Sequence, residues 1–374
     1  MILHIFETES IFFTLARQCF EVSGLKSDFL VLDKGENEKY NNYNNVKYLE
    51  VRKQFNQEFS LEPYRLILFH GLFKKNLKYL KKILKLNNKP KIAWVVYGAE
   101  VTNNFIIPSS FLGEKTRVIY YALLPYRIFV PLYNIIDRII NGNLSTYIGR
   151  IDYYAHFMPQ EMDFVAEHTG VKKEMLWHSY TNIETYIEKD LTDKKASEDG
   201  NILIGNSASF TSNHLEVFDI LKNINTEDRK IMVPLNYGNR VYGKYIAKKG
   251  KKVFKEKFVS LMSMLSKKEY HELLLSCSVM ILNNYKQQAI GNIVSAAWLG
   301  IRLFLQENTS TYRYFKKNGL LVFSIQKDLS SDNINVFKSM DLEEIKHNRE
   351  VLIKLFGKES FIKNMQEAYK NFII

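Results

Sequence analysis

Cysteine is nearly missing from this chain of 374 residues: Cys19 and Cys277 are the only two, far apart and without a C-x-x-C pair. They support neither a disulfide framework nor a cysteine metal site, and a reducing cytoplasm is the expected setting. Proline is sparse, at 7 residues, and no Ser/Gly/Pro tract occurs, which argues against long disordered stretches. No segment approaches the roughly eighteen uninterrupted apolar residues that a spanning helix needs. The N-terminal run from Met1 to Ser10 lacks a basic region followed by a long apolar stretch, so no signal peptide is expected. The chemistry-bearing motifs H-E-x-x-H, D-x-D and G-x-x-x-x-G-K-[ST] are missing too; His271-Glu272 lacks the second histidine of a zincin.

Apolar residues and positive charge are plentiful. Apolar residues make up 46% of the chain and aromatics 14%, enough for a core in each of two domains. The formal net charge is +12, with lysine dominant. Such a charge suits a polyanionic partner (nucleic acid, anionic lipid or a phosphorylated ligand) and equally a merely soluble surface.

Short apolar runs alternate with amphipathic stretches along the whole length. Strands are predicted at Ile2–Phe6, Phe29–Leu32, Val46–Val51, Leu66–Phe69, Ile92–Val96, Ser145–Ile148 and Met175–Trp177. A second series holds Ile202–Ile204, Ile231–Val233, Val279–Leu282 and Leu303–Leu305, with helices between them and a helical tail from Leu342 to Phe372. Strands that read as continuous apolar runs belong in parallel sheets covered on both faces. Residues 187–200 are charged, poor in large apolar side chains and end on Gly-Asn, which marks an interdomain linker. The expected layout is therefore α/β: a Rossmann-like domain at 1–186, the linker at 187–200, a second Rossmann-like domain at 201–340, and C-terminal helices at 341–374. Two doubly wound domains facing one another would put a ligand cleft at the carboxyl ends of their sheets.

Several polar clusters stand at predicted strand ends. Gly205, Asn206, Ser207 and Ser209 follow one strand and lead to Ser212-Asn213-His214. Backbone N–H groups and hydroxyls at such a strand-to-helix turn can hold an anion; an ordinary helix cap by Thr211 or Ser212 fits the same residues. Lys286, Gln287, Gln288, Gly291 and Asn292 stand before the helix Ile293–Leu299, where Gly291 admits close approach to the backbone. A polar loop with a glycine is the plainer reading. Tyr237, after the strand Ile231–Val233, is placed to stack on a base or sugar, or to pack. In the first half Glu100 and His70 end neighbouring strands, as general-base candidates or as hydrogen-bonded structural residues. No clustered carboxylates accompany these loops, so no metal and no cofactor is expected, and helix N-termini and amides would carry a diphosphate.

In their order, these residues resemble the TDP-N-acetylfucosamine:lipid II N-acetylfucosaminyltransferases of enterobacterial common antigen synthesis. The resemblance rests on Gly205-Asn206-Ser207 with Ser212-Asn213-His214, on Val233-Pro234 with Tyr237, and on Lys286-Gln287-Gln288-Ala289-Ile290-Gly291. Upstream, Phe69-His70-Gly71 and Tyr97-Gly98-Ala99-Glu100 are similar to the family's Phe-His-Gly and Trp-Gly-Ala-Asp elements. Lys286, Ala289 and Glu100 stand where the family pattern has Arg, Gly and Asp, and His214 falls one position early. The resemblance implies a GT-B fold and a peripheral enzyme on the cytoplasmic, inner face of the bacterial inner membrane. It also implies a dTDP- or UDP-sugar donor held by the second domain and an undecaprenyl-diphosphate-linked saccharide as acceptor. An anionic membrane surface, and no nucleic acid, would be the further partner. The other readings of the residues are a non-catalytic nucleotide- or polyanion-binding α/β protein and an epimerase of the same donor class.

Overall fold

A computed structural model of the chain describes residues 1–32, 45–48, 60–133, 144–330 and 336–373. The chain forms two compact units: Met1–Ile106 with Leu132–Asn182 and Lys358–Ile374, and Ile107–Pro131 with Ile183–Gly357.

Among the described residues the first unit holds a sheet of 7 strands. These are β1 (Ile2–Phe6), β2 (Ser27–Val31), β3 (Val46–Tyr48), β4 (Leu66–His70), β5 (Lys91–Val95), β6 (Tyr153–His156) and β7 (Glu174–Trp177). They are all parallel, in the order β3-β2-β1-β4-β5-β6-β7. β1 and β4 are buried along their whole length, as strands covered on both faces must be. The chain order reverses between β1 and β4, so the loops after these two strands diverge to opposite faces and leave a crevice at their carboxyl ends.

The second unit repeats the plan with a sheet of 6 strands. They are β8 (Asn201–Ile204), β9 (Ile231–Pro234), β10 (Phe258–Leu261), β11 (Cys277–Leu282), β12 (Arg302–Leu305) and β13 (Phe323–Ser324). These are again parallel, in the order β10-β9-β8-β11-β12-β13, with the reversal between β8 and β11.

Most predicted elements stand where periodicity puts them, and the differences have physical reasons. Ser145–Ile148 is not a strand; Leu144–Ile148 is a helical turn that buries Leu144 and Ile148 on one side. The strand at that place in the sheet is Tyr153–His156, paired with β5. Its Tyr-Tyr-Ala-His sequence carries no aliphatic run, whereas Ser-Thr-Tyr-Ile has strand-like residue types and a four-residue helical spacing that a short window does not resolve. β10 is not among the predicted strands, because the lysine-rich helix Arg240–Phe254 passes through one tight turn directly into it. β13 is two residues long, too short for any periodicity. Residues 49–51 of the third predicted strand lie outside the described residues.

The chain changes unit after Ile106, Pro131, Asn182 and Gly357. The segment Ile107–Pro131 packs the inner face of its helix Glu114–Leu123 on the core of the second unit, with Tyr120 edge-on to Phe210. The last helix, Lys358–Tyr369, lays Phe361, Met365 and Tyr369 into the core of the first unit. The residues read as a linker, 187–200, bury Ile187, Leu191 and Ala196 between their charged neighbours. An amphipathic stripe states that a helix face is buried; it does not state against which sheet.

Gly250 lets the long helix Arg240–Phe254 lie directly on β10. A Cβ there would stand 2.1 Å from the Phe258 ring. Gly250→Ala should therefore lose more by overpacking, about 1–3 kcal/mol, than it gains in helix propensity, about 1 kcal/mol. The expected result is a melting temperature lowered by a few degrees in calorimetry; a rise would show that the ring moves aside freely.

Candidate active site

The reversal between β8 and β11 brings together the two loops singled out from the sequence. β8 is followed by Gly205, at φ 68°, where any Cβ would lie 2.8 Å from Nε2 of His214. This position is open only to glycine. Ala208 then forms a bridge with Gly238, φ 108°, tying the loop after β8 to the loop after β9. A Cβ on Gly238 would stand 2.7 Å from the Ala208 carbonyl oxygen.

A set of neutral side chains spans the reversal. Asn206 Nδ2 donates to the Tyr237 hydroxyl at 2.9 Å, and Gln288 Nε2 donates to Asn206 Oδ1 at 3.2 Å. Thr211 Oγ1 donates to Gln288 Oε1 at 2.9 Å and lies 2.7 Å from Ser209 Oγ. Asn206, Ser209, Gln288 and Tyr237 are thus one network. Tyr237 is 53% exposed, so the network opens to solvent at its ring. No carboxylate occurs in 205–213 or in 283–292.

The remaining donor-side candidates are disposed differently. Asn213 is fully buried and its amide is spent on backbone: Oδ1 accepts from Gly113 N at 2.9 Å, and Nδ2 donates to the carbonyls of Phe111 and Asn283, each at 3.0 Å. Ser207 is buried, and Lys286 holds its ammonium 5.7 Å from the centre of the Phe111 ring. Gln287, Gly291 and Asn292 are half-buried beside the start of the helix Ile290–Leu299, with Gly291 facing the Tyr186 ring. The sequence offered Thr211 or Ser212 as an ordinary cap. The helix His214–Leu221 is instead preceded by Asn213 in the left-handed conformation, without a side-chain cap bond. The helix after β11 starts the same way, from Ala289 at φ 62°. Elsewhere in this unit Asn239, Ser266, Thr309 and Asp341 cap their helices with side chains. The two helices at the reversal thus present first-turn N–H groups that no side-chain cap satisfies.

Sequence reasoning passed over Asn284, took Thr211 only as a cap and gave His214 no role beyond its motif. Asn284 donates to the Thr211 carbonyl at 3.1 Å and keeps a buried Oδ1 without a hydrogen bond. Thr211 itself is the network's centre. His214 is fully buried, and burial pushes its imidazole down to about 3, so it is neutral, with Nε2 directed at Gly205. A polar residue beside a glycine of positive φ is the signal that could have found it.

In the first unit the reversal between β1 and β4 carries a histidine–tyrosine network. His70, the last residue of β4, places Nε2 2.8 Å from His4 Nδ1 and Nδ1 2.5 Å from the Tyr180 hydroxyl. Tyr180 donates in turn to the Tyr97 hydroxyl at 3.1 Å. Burial, and then the neighbouring His4 and His178, hold His70 well below the usual imidazole range. Both ring nitrogens of this neutral His70 are engaged; the half-buried Tyr97 and Tyr180 are its outlet.

Glu100 is fully buried in the first turn of the helix Ala99–Phe105. Its Oε1 accepts from the Trp94 indole and from Tyr97 N, each at 2.9 Å, while Oε2 is buried without a hydrogen bond. Burial raises its pKa to about 7; hydrogen bonds oppose the shift and the nearby Glu161 adds to it. Tyr97 joins the two candidates, through its amide to Glu100 and through its hydroxyl to the His70 network. His4, Tyr180 and Glu161 were invisible to motif reading, because each owes its place to the packing of separate strands and helices.

The family model described as 4-alpha-L-fucosyltransferase, glycosyl transferase group 56, matches residues 26–370. Solved structures of similar fold include a glycosyltransferase from Rickettsia africae, at TM-score 0.61 and 11% identity over 99% of this chain and 97% of that one. An Anabaena protein in complex with UDP and glucose matches at TM-score 0.60 and 10% identity, over 99% of both chains. A lipopolysaccharide outer core galactosyltransferase matches at TM-score 0.60 and 11% identity, again over 99% of both. Such likeness carries the fold, that of the GT-B enzymes, and the family model carries the activity. The non-catalytic and epimerase readings of the sequence give way to sugar transfer. With both units built as doubly wound parallel sheets and the model spanning nearly all of it, this chain belongs to glycosyl transferase group 56 and is a glycosyltransferase.

Proposed function

We propose that the enzyme transfers a sugar, of the N-acetylfucosaminyl or a related amino-deoxy class, from a dTDP- or UDP-linked donor to a polyprenyl-diphosphate-linked saccharide. One observation carries the donor side: both helices at the β8/β11 reversal start without a side-chain cap, beside an amide and hydroxyl network free of carboxylates. A donor diphosphate there meets first-turn N–H groups, the amides of Asn206 and Gln288, and the Lys286 ammonium. Tyr237 offers its exposed ring to the base or sugar.

On the acceptor side, magnitudes choose between the two candidates. A base works best with a pKa near the working pH. His70 is held too low to keep a proton at neutral pH, whereas Glu100 sits at about 7 and has Oε2 unengaged. Glu100 therefore takes the acceptor hydroxyl proton as that oxygen bonds to the sugar carbon and the nucleoside diphosphate departs with the electron pair of the broken C–O bond. Tyr97 and the His70 network orient the acceptor. The lipid-linked acceptor puts the enzyme on the inner face of the bacterial inner membrane. The net charge of +12 and the lysine-rich helix Lys74–Ile83 support a peripheral position on an anionic surface.

Thermal stabilisation by a panel of UDP-, dTDP- and GDP-sugars, followed by mass analysis of product formed on an undecaprenyl-diphosphate saccharide, tests the assignment. Stabilisation by none of them would remove it. Gln288→Ala unties the two loops and should weaken nucleoside diphosphate binding about tenfold in calorimetry; unchanged affinity would take Gln288 out of the donor site. Glu100→Gln keeps the acceptor for Trp94 and should lower kcat at least 100-fold, on the order seen for general bases. Wild-type kcat/KM should rise through a midpoint near pH 7, a rise the variant lacks; turnover at the wild-type level would exclude Glu100 as base.

The same shift has a signed effect on stability. The pKa of Glu100 is higher in the folded chain, about 7 against 4.5. Its neutral form is therefore accommodated below pH 4.5, and stability is lost as pH rises through 7. Glu100→Gln should accordingly be more stable than wild type at pH 8, by roughly 3 kcal/mol at 1.4 kcal/mol per unit, and nearly equal to it at pH 4.5. Equal melting temperatures at pH 8 would show that the buried carboxyl is not strained by ionisation.

A further inference from the structure

The segment Ile107–Pro131 belongs to the donor-binding unit, and its two sides differ in kind. Its inner side is bolted to the donor loops. Asn213 accepts from Gly113 N and donates to the Phe111 carbonyl while also donating to Asn283, at the end of β11. Glu216 accepts from Thr116 N at 2.9 Å and from Thr116 Oγ1 at 2.6 Å. Gly113 makes room for this contact, since a Cβ there would stand 2.4 Å from the Glu216 carboxyl carbon. The Lys286 ammonium lies over the Phe111 ring.

The outer side is apolar and aromatic. Val118, Tyr126, Ile128 and Phe129 are 66%, 59%, 61% and 67% exposed, the last three on the tight turn Pro125–Phe129. Proline stands on both sides of this turn, at Pro125 and Pro131, and Tyr126 and Arg127 pair ring to guanidinium. The segment carries three basic residues, Lys115, Arg117 and Arg127, against one acid, Glu114. Large exposed aliphatic and aromatic side chains among cations match the boundary between acyl chains and anionic headgroups. Nucleic acid would favour the cations and leave Ile128 and Phe129 in water.

We propose that the 124–131 turn seats in an anionic lipid surface, and that Asn213 and Glu216 carry that contact into the donor loops, so that membrane docking orders the donor site. The inference rests on the reading of the acceptor as lipid-linked, and it makes the donor-binding unit itself a membrane-contacting one.

The test uses the full chain with vesicles of phosphatidylglycerol and phosphatidylethanolamine, containing no acceptor, and with phosphatidylcholine vesicles as the neutral control. Wild type should float with the anionic vesicles, and the double variant I128S/F129S should bind them at least tenfold more weakly. The affinity of the variant for UDP and dTDP in vesicle-free buffer should be unchanged, since both side chains stand away from the core. Hydrogen exchange on the wild type needs no variant: anionic vesicles should slow exchange at 124–131 and at 206–213 together. Equal flotation of wild type and double variant would overturn the docking assignment. So would self-association or single-stranded DNA binding through this turn without vesicle binding. Protection confined to 124–131 would overturn the transmission through Asn213. Failure of the sugar-transfer reading appears separately, as absence of nucleotide binding in buffer.

Discussion

The amide of Asn213 is the joint on which the second unit depends. Fully buried, it meets a backbone N–H and two carbonyls from two separate stretches of chain, the turn at 111–113 and the residue after β11, and ties both to its own loop after β8. Each of those groups, left without a partner in the interior, would cost about 1–3 kcal/mol. No other side chain of similar size offers one acceptor and two donors in that compass. The left-handed backbone at Asn213 is strain that this arrangement over-determines. Because the loop is held from within, Asn206, Ser209 and Thr211 are free to face outward as one network with Gln288.

The two units differ in the chemistry at their reversals. Between β8 and β11 the second unit gathers neutral groups: uncapped helix starts, carboxamides and hydroxyls, with Lys286 the cation of these two loops. The first unit buries its titratable groups. Removing His4, His70 and His178 from water keeps all three neutral, and removing Glu100 from water moves it to where it can exchange a proton near neutrality. Desolvation dominates in each case, and its sign depends on the group: it lowers a base and raises an acid.

The family is written along residues 26–370, whereas substrates are read by a handful of side chains. Relatives near 10% identity share the doubly wound architecture. Within that architecture this chain sets Glu100 beneath the Trp94 indole, Lys286 against the Phe111 ring, and an aromatic turn at 124–131.

The amino-acid sequence by itself determined the class of the fold and the turns that end its strands. Continuous apolar runs such as Leu66–Phe69 and Val279–Leu282 can satisfy their backbone only in a covered parallel sheet, and glycine at 205 reports a turn that other residues enter at a cost. Tertiary structure decided the rest. It replaced the strand expected at Ser145–Ile148 with Tyr153–His156, because sheet registry is chosen by the neighbouring β5 and not by local residue type. It turned Asn213 inward and Gln288 outward, two amides that composition cannot tell apart. It attached 107–131 to the second unit, since an apolar helix face carries no record of the surface it will cover. Glu100 stood in the sequence as a carboxylate at a strand end; only its enclosure by Trp94, Tyr97 and Glu161 made it a group that holds or releases a proton near pH 7.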